Sequence, residues 1–349
     1  MASVAIYSPG ITNTAETLAW QLAFTGHRVT LVTDSSFGRE GELATARARM
    51  AALKDVALCD VTAAPEPADW IVLTLSRRRR IRSQPLDAWI ACARRTALLL
   101  EGPYHGWRER AREFLLAQPY CWWAAVVIRQ HGGTSRNVYP FIARHRQYAP
   151  YIHPHIFCTS SLFENWRQGP AAEAQAGTHR FAFMGNREPA ERAAVLDEIA
   201  GHFRTAHPEL TWTGNPDSPA DIFWLAHDRH SPVRGLAAGD YLALLRRATF
   251  CLCPAGWGGL WTHRTVESLG CGAIPILPGP EDYALDLRDG MNCIAVHRGR
   301  WADAIERAVR LSPAEVTLMR RAIAQLWRER LAPEVAARRQ WTTLTGDSS

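Results

Sequence analysis

Lysine is almost missing from this chain: Lys54 is the only one among 40 basic residues, and the rest are arginine. Arginine favours bidentate contact with phosphate and carboxylate, and the net charge of +6 points toward an anionic partner. No run of about 18 apolar residues occurs, so no membrane span is expected. Met1 to Tyr7 lead straight into a strand pattern, with no charged segment followed by a long apolar one. A secretory leader is therefore not expected. Cys59, Cys92, Cys121, Cys158, Cys251, Cys253, Cys271 and Cys293 are scattered, without a CxxC pair. That spacing argues against zinc ribbons and thioredoxin chemistry and reads as reduced core cysteines of a cytoplasmic protein. No Asp-x-Asp occurs, so a metal-bridged diphosphate is not indicated, and no bound cofactor is expected. The first strand is followed by Ser8-Pro9-Gly10-Ile11-Thr12-Asn13, which lacks the GxGxxG fingerprint of dinucleotide binding. Asp34, at the end of the second strand, is thus a weak candidate for gripping a ribose.

What is present is a soluble α/β pattern, with 47% hydrophobic and 21% charged residues. Strands are expected at Val4–Ser8, Arg28–Thr33, Trp70–Leu75, Ala97–Leu100 and Ala124–Ile128. Helices are expected at Thr14–Thr25, Leu86–Arg95 and Trp107–Ala117. The Gly/Ala/Pro-rich stretch Gln168 to Thr178 marks a boundary. It gives an N-terminal domain over 1–168 and a C-terminal domain over 169–327. A basic tail over 328–349 is placed to cross back to the first domain.

The second domain opens with the strand Arg180–Met184, the loop Gly185-Asn186-Arg187 and a helix from Pro189 to His202. A strand running into a helix N-terminus is a natural phosphate seat. Strands at Leu210–Thr213 and Ile222–Leu225 and a helix at Tyr241–Arg247 lead to the most informative stretch, Ala248 to Pro278. It reads as strand (Thr249–Pro254), glycine-rich loop, helix (Trp261–Leu269) and strand (Ala273–Leu277). The loop holds Gly256, Trp257, Gly258 and Gly259, and Thr262 lies in the first turn of the helix. Glycines there let the backbone approach a ligand. Gly270 and Gly272 are stop signals.

His263, Arg264 and Glu267 share a helix face by their offsets of three and four. A cation in the first helical turn opposes the local dipole, which makes sense when an anion binds there. Glu267 lies about 5 Å further along the axis, within reach of a ribose if Arg264 holds a diphosphate. The other reading is a surface Arg–Glu pair with an incidental histidine.

Phe250-Cys251-Leu252-Cys253-Pro254, the glycine-rich loop, Arg264-x-x-Glu267 and Gly272-x-Ile274-Pro275-Ile276-Leu277 resemble the donor-binding segment of exostosin-type glycosyltransferases. Arg180 to Arg187 is similar to the strand and loop opening the same domain. Fucosyltransferases acting from GDP-fucose carry a looser version. The resemblance covers roughly Phe181 to Leu331. It implies two Rossmann-like domains facing across a cleft, the GT-B architecture, and a nucleotide-sugar donor with UDP favoured. Gly185, Asn186, Arg187, Trp257, Gly258, Gly259, Thr262, His263, Arg264 and Glu267 would hold the donor. The acceptor would be a glycan, a lipid-linked group or a small molecule.

Open parallel sheets bind ligands beyond the carboxyl ends of their strands. Glu101 follows the apolar strand Leu98-Leu99-Leu100 and is the first candidate for a general base; His131, beside Gly132 and Gly133, is the second. The run Arg77-Arg78-Arg79-Arg80-Ile81-Arg82 is either a solvated loop or a contact for an anionic acceptor or lipid head groups. It lacks interleaved aromatics, so nucleic acid is not an expected partner. Location is expected to be cytoplasmic, with peripheral contact at the inner face of a membrane as the alternative. Two other classes of function stay open: a nucleotide-dependent epimerase or dehydrogenase on a Rossmann sheet, against which the missing GxGxxG counts, and a non-catalytic carbohydrate- or partner-binding module of the same fold.

Overall fold

A computed structural model describes residues 1–8, 13–34, 56–76, 84–101, 124–129, 145–147, 166–170, 178–228, 236–256, 262–283 and 285–345. The chain divides into two compact units. One comprises Met1–Thr159 with Pro333–Ser349, the other Ser160–Ala332.

Among the described residues the first unit has seven strands: β1 Ser3–Ser8, β2 Arg28–Thr33, β3 Val56–Asp60, β4 Ala68–Ser76, β5 Ala93–Glu101, β6 Ala124–Arg129 and β7 His145–Gln147. Their spatial order is β3-β2-β1-β4-β5-β6-β7, and all pairings are parallel. This is the doubly wound order with one strand added, and its direction reverses between β1 and β4. Parallel strands covered by crossover helices read as continuous apolar runs, as Ile71–Leu73 and Ala97–Leu99 do; all six are fully buried. Tyr7, Ile71, Leu73, Leu98 and Trp89 form one core cluster, where the Trp89 indole donates to the Val61 carbonyl at 3.0 Å. Helix α1 (Asn13–Phe24) joins β1 to β2, and α2 (Gln84–Cys92) precedes β5. The helix expected to reach Arg95 stops at Cys92. Arg94 and Arg95 belong to β5, where Arg95 is in register with Trp70 of β4.

The second unit is built on β8 His179–Asn186, β9 Trp212–Thr213, β10 Ile222–His227, β11 Ala248–Leu252, β12 Ile274–Pro278 and β13 Ile294–Val296. Their order is β13-β12-β11-β8-β10-β9, again all parallel. The winding direction switches between β10 and β11, on either side of β8. Helices α3 (Ala190–Ala206), α4 (Ala238–Arg247), α5 (His263–Cys271), α6 (Trp301–Arg310) and α7 (Pro313–Leu326) belong to the same unit. Phe181, Phe203 and Phe250 are buried together, with ring centroids 4.9 and 5.3 Å from Phe181. Helix α7 starts with a reciprocal capping box between Ser312 and Glu315.

The last helix, α8 (Pro333–Thr345), belongs to the first unit. There Trp341 stacks on His27 with centroids 3.8 Å apart. Among the described residues, no helix is long and apolar enough to cross a membrane.

Candidate functional site

The switch point of the second sheet gathers the loops that follow β8 and β11. Helix α5 leaves the second of these loops with Thr262 as its N-cap. The Thr262 carbonyl accepts the Thr265 N–H, and its hydroxyl meets the Thr265 hydroxyl at 3.2 Å. The Thr262 side chain makes no capping hydrogen bond to the first-turn N–H groups, and a helix start carries a positive partial charge. The helix ends in a Schellman closure: Ala273 N–H donates to Ser268 O and Gly272 N–H to Leu269 O. Gly272 takes the required left-handed conformation, at φ 81°. Gly270, expected as a stop signal, lies inside the helix, where its missing side chain leaves room for Trp166 and Trp327.

Arg264, in the first turn of α5, is half-buried, with its Nε and Nη1 shut off from solvent. One guanidinium nitrogen, Nη2, donates to the Met184 carbonyl in β8, and Cζ lies 4.6 Å from the Phe183 ring centroid. Its Nε and Nη1 have no hydrogen-bond partner among the described residues. Gly185 makes the packing feasible, because a Cβ there would collide with Arg264 Nη2. Burial works against the charge of Arg264, but Tyr241, Cys251, Cys253 and Glu267 around it outweigh that effect, and the group stays a cation.

A second arginine joins it from the other loop. Arg192, in the first turn of α3, donates from Nε to the Ala255 carbonyl at 2.7 Å. Its Nη1 donates to Asn186 Oδ1 at 2.9 Å. It thereby ties the loop after β8 to the loop after β11. A Cβ at Gly256 would collide with its Nη2. Burial, and then the charge of Arg264, bring its pKa down to about 10. It remains charged at neutral pH.

Glu267, one turn further along α5, is 4% exposed and accepts the Tyr241 hydroxyl at 2.9 Å. Burial pushes its carboxyl up to about 7, against the opposing pull of Tyr241 and Arg264. Glu267 is thus interior and bonded to Tyr241, not half of a surface pair, while Arg264 is half-buried.

The structure thus draws Gly185, Asn186, Thr262, Arg264 and Glu267 into one region. His263 occupies the first helical turn beside Arg264 and is half-buried. Arg187 is differently engaged. Its Nη2 reaches both oxygens of Asp197 at 2.7 Å, and its backbone N–H donates to His227 O. Trp257, Gly258, Gly259 and His131 lie outside the described residues. Glu101 is the last residue of β5, at the strand's carboxyl end; its side chain lies outside the described part.

Arg192 and Tyr241 escaped sequence reasoning. Arg192 had a usable signal, since it is a cation in the first turn of a helix, the feature that singled out Arg264. Tyr241 had none beyond its place in an amphipathic helix.

Chemically, two half-buried arginines converge near the N-terminus of α5, and the carboxylate nearby is held toward its neutral form. Such a set has the chemistry to hold an anion.

Residues 121–288 match the Exostosin GT47 domain. No curated protein matches the chain. Among solved structures, the fold is similar to HepE of Anabaena in complex with UDP, with TM-score 0.59, 12% identity and coverage of 99% of this chain and 100% of that one. The α,α-trehalose-phosphate synthase (UDP-forming) of Burkholderia vietnamiensis gives TM-score 0.56 at 12% identity, over 99% and 100%. The N-terminal domain of trehalose-6-phosphate phosphatase of Candida albicans gives 0.59 at 11%, over 100% and 97%. At such identities these likenesses speak to fold. The exostosin match over residues 121–288 and the two Rossmann-like sheets agree with one another: the fold is GT-B, and the matched part resembles that of exostosin-like glycosyltransferases.

Proposed function

We propose that this enzyme moves a sugar from a nucleoside diphosphate sugar, with a UDP-sugar as the favoured donor, to a hydroxyl of a glycan, lipid or small-molecule acceptor. One observation carries the donor reading. Arg264 is a half-buried cation whose Nε and Nη1 are shut off from solvent and lack partners among the described residues. An unpaired buried charge is costly, and a diphosphate at the α5 N-terminus would remove that cost. The second guanidinium, Arg192, supplies charge for a second phosphate.

In this scheme the acceptor oxygen attacks the anomeric carbon and the bond from that carbon to the diphosphate oxygen breaks. The departing diphosphate is stabilised by Arg264, Arg192 and the first-turn N–H groups of α5. Gly185 and Asn186 shape this seat, and Arg187 borders it. Trp257, Gly258, Gly259 and His263 belong to the donor loop and helix start, and Glu267 is assigned to the ribose. A base in the N-terminal unit, Glu101 first and His131 second, takes the acceptor proton. Neither a metal nor a cofactor has a part in this scheme. The arginine run at Arg77–Arg82 is assigned to an anionic acceptor or the inner face of a membrane, in a cytoplasmic enzyme. UDP as the nucleotide is supported by the exostosin match and by the UDP carried by HepE.

A thermal-shift series with UDP, GDP, CMP and dTDP tests the reading, because a ligand selective for the native state raises Tm. The largest rise is expected with UDP, together with UDP release from one of its sugars. A larger rise with GDP would move the donor to the GDP-fucose class. No rise with any of the four would remove the nucleotide site.

A further inference from the structure

At the far end of α3, ten residues or about 15 Å along the helix from Arg192, a second cluster stands apart from the anion site. His202 lies in the last turns of α3 and His207 follows its end. Both aim Nε2 at the same oxygen, Oε1 of Glu306 on α6, at 3.1 and 2.7 Å. The three potential ligand atoms all lie within 4.8 Å of one another. His202 and His207 are 19% and 11% exposed.

We propose that His202, His207 and Glu306 form a binding site for a zinc-class divalent ion that fastens the end of α3 to α6. Two imidazoles and one carboxylate, with water in the fourth position, are a common zinc donor set. Metal–ligand bonds of about 2.0–2.2 Å place neighbouring ligand atoms roughly 3.3 Å apart in a tetrahedron. The distances from Glu306 are slightly shorter, so opening the cluster by about half an ångström admits an ion. The surrounding hydrogen bonds support the same assignment. The other ring nitrogen of His207, Nδ1, faces Glu209 Oε1 at 3.3 Å. A carboxylate behind the ring fixes which nitrogen keeps the proton: Nδ1–H donates to Glu209, and the Nε2 lone pair is left for the metal. Glu306 Oε2 is steadied by the exposed Arg310 at 3.4 Å. The cluster was invisible in the sequence because Glu306 lies 99 positions from His207.

The test uses the full chain stripped with a chelator and then titrated with Zn²⁺ or Co²⁺. Zn²⁺ is expected to raise Tm by several degrees when present well above its Kd. Co²⁺ should give visible d–d bands without strong thiolate charge-transfer bands, which separates this site from the cysteines. Glu306→Gln and His202→Gln should each weaken Zn²⁺ binding at least ten-fold. Glu209→Gln changes an exposed residue and leaves all three ligands in place, so it should fold; a ten-fold loss is expected from it as well. The proposal is overturned if Zn²⁺ leaves Tm unchanged, if thiolate bands dominate the Co²⁺ spectrum, or if Glu209→Gln and a folded Glu306→Gln bind Zn²⁺ as the unaltered chain does.

Discussion

The guanidinium of Arg264 fills the volume that a side chain at Gly185 would need. The two residues come from different strand–helix junctions, 79 positions apart in the sequence, and meet at the switch point of the second sheet. Gly185 also sits at φ 153°, so its identity is tied to both its backbone and its neighbour. Gly185→Ala is expected to displace Arg264 and lower UDP affinity about as much as deleting one charge-assisted hydrogen bond, roughly 1.5–3 kcal/mol. Titration calorimetry on the folded variant checks this. Wild-type affinity would show that Arg264 does not hold the nucleotide from its present position.

Arg264 itself should trade stability for binding. Its Nε and Nη1 are buried without partners among the described residues, a cost a ligand-free protein carries for function. Arg264→Met keeps a long flexible side chain against Phe183 but removes the charge. The expected result is a ligand-free Tm equal to or above that of the unaltered chain and a lost response to UDP. A lower Tm with the UDP response intact would mean the arginine is structural.

Glu267 gives a pH signature. Its ordinary pKa of 4.5 is raised to about 7, chiefly by burial, with Tyr241 and Arg264 pulling the other way. Between those values the folded state holds a proton that the unfolded chain has released. Stability is therefore greatest below about 4.5, falls as pH rises through 7, and is flat above that. The span is on the order of 3 kcal/mol. Urea denaturation at pH 5 and pH 8 should show this loss in the unaltered chain relative to Glu267→Gln, which cannot titrate. A constant difference between the two proteins across the range would place Glu267 as a carboxylate throughout.

The sheets were legible because their strands are apolar runs bounded by breakers. Arg28–Thr33 was readable to the residue, and the unit from Ala248 to Pro278 gave strand, loop, helix and strand in order. Where the reading slipped, tertiary pairing decided. Nothing local marks the passage from helix to strand at Cys92–Ala93; only pairing with β4 puts Arg94 and Arg95 into β5. Strand β3 is similarly defined by its register with β2, Val29 opposite Val56. In the site, Arg264 and Glu267 share one helix and were found by spacing. Arg192 reaches them across 63 positions through the Ala255 carbonyl, and no periodicity reports such a contact.

The final prediction concerns stereochemistry. Retaining two-domain transferases often carry a glutamate eight positions before the ribose-binding glutamate. Here that position, counted from Glu267, is Gly259, and Ala255 to Gly259 contain no carboxylate. The scheme proposed above accordingly uses a single in-line displacement, which inverts the anomeric centre and depends on a base aligned with the acceptor hydroxyl. Glu101 terminates β5, the strand position where open parallel sheets present ligand-contacting groups. Glu101→Gln should lower kcat about 10²–10⁴-fold, the usual contribution of a positioned base. UDP affinity should stay unchanged, since the nucleotide is assigned to the other unit. If Glu101→Gln is nearly fully active, the base role passes to His131, which His131→Asn tests in the same way. Proton NMR of freshly formed product from an α-linked donor should show the β anomer. An α product would eliminate the single displacement, whichever residue takes the proton.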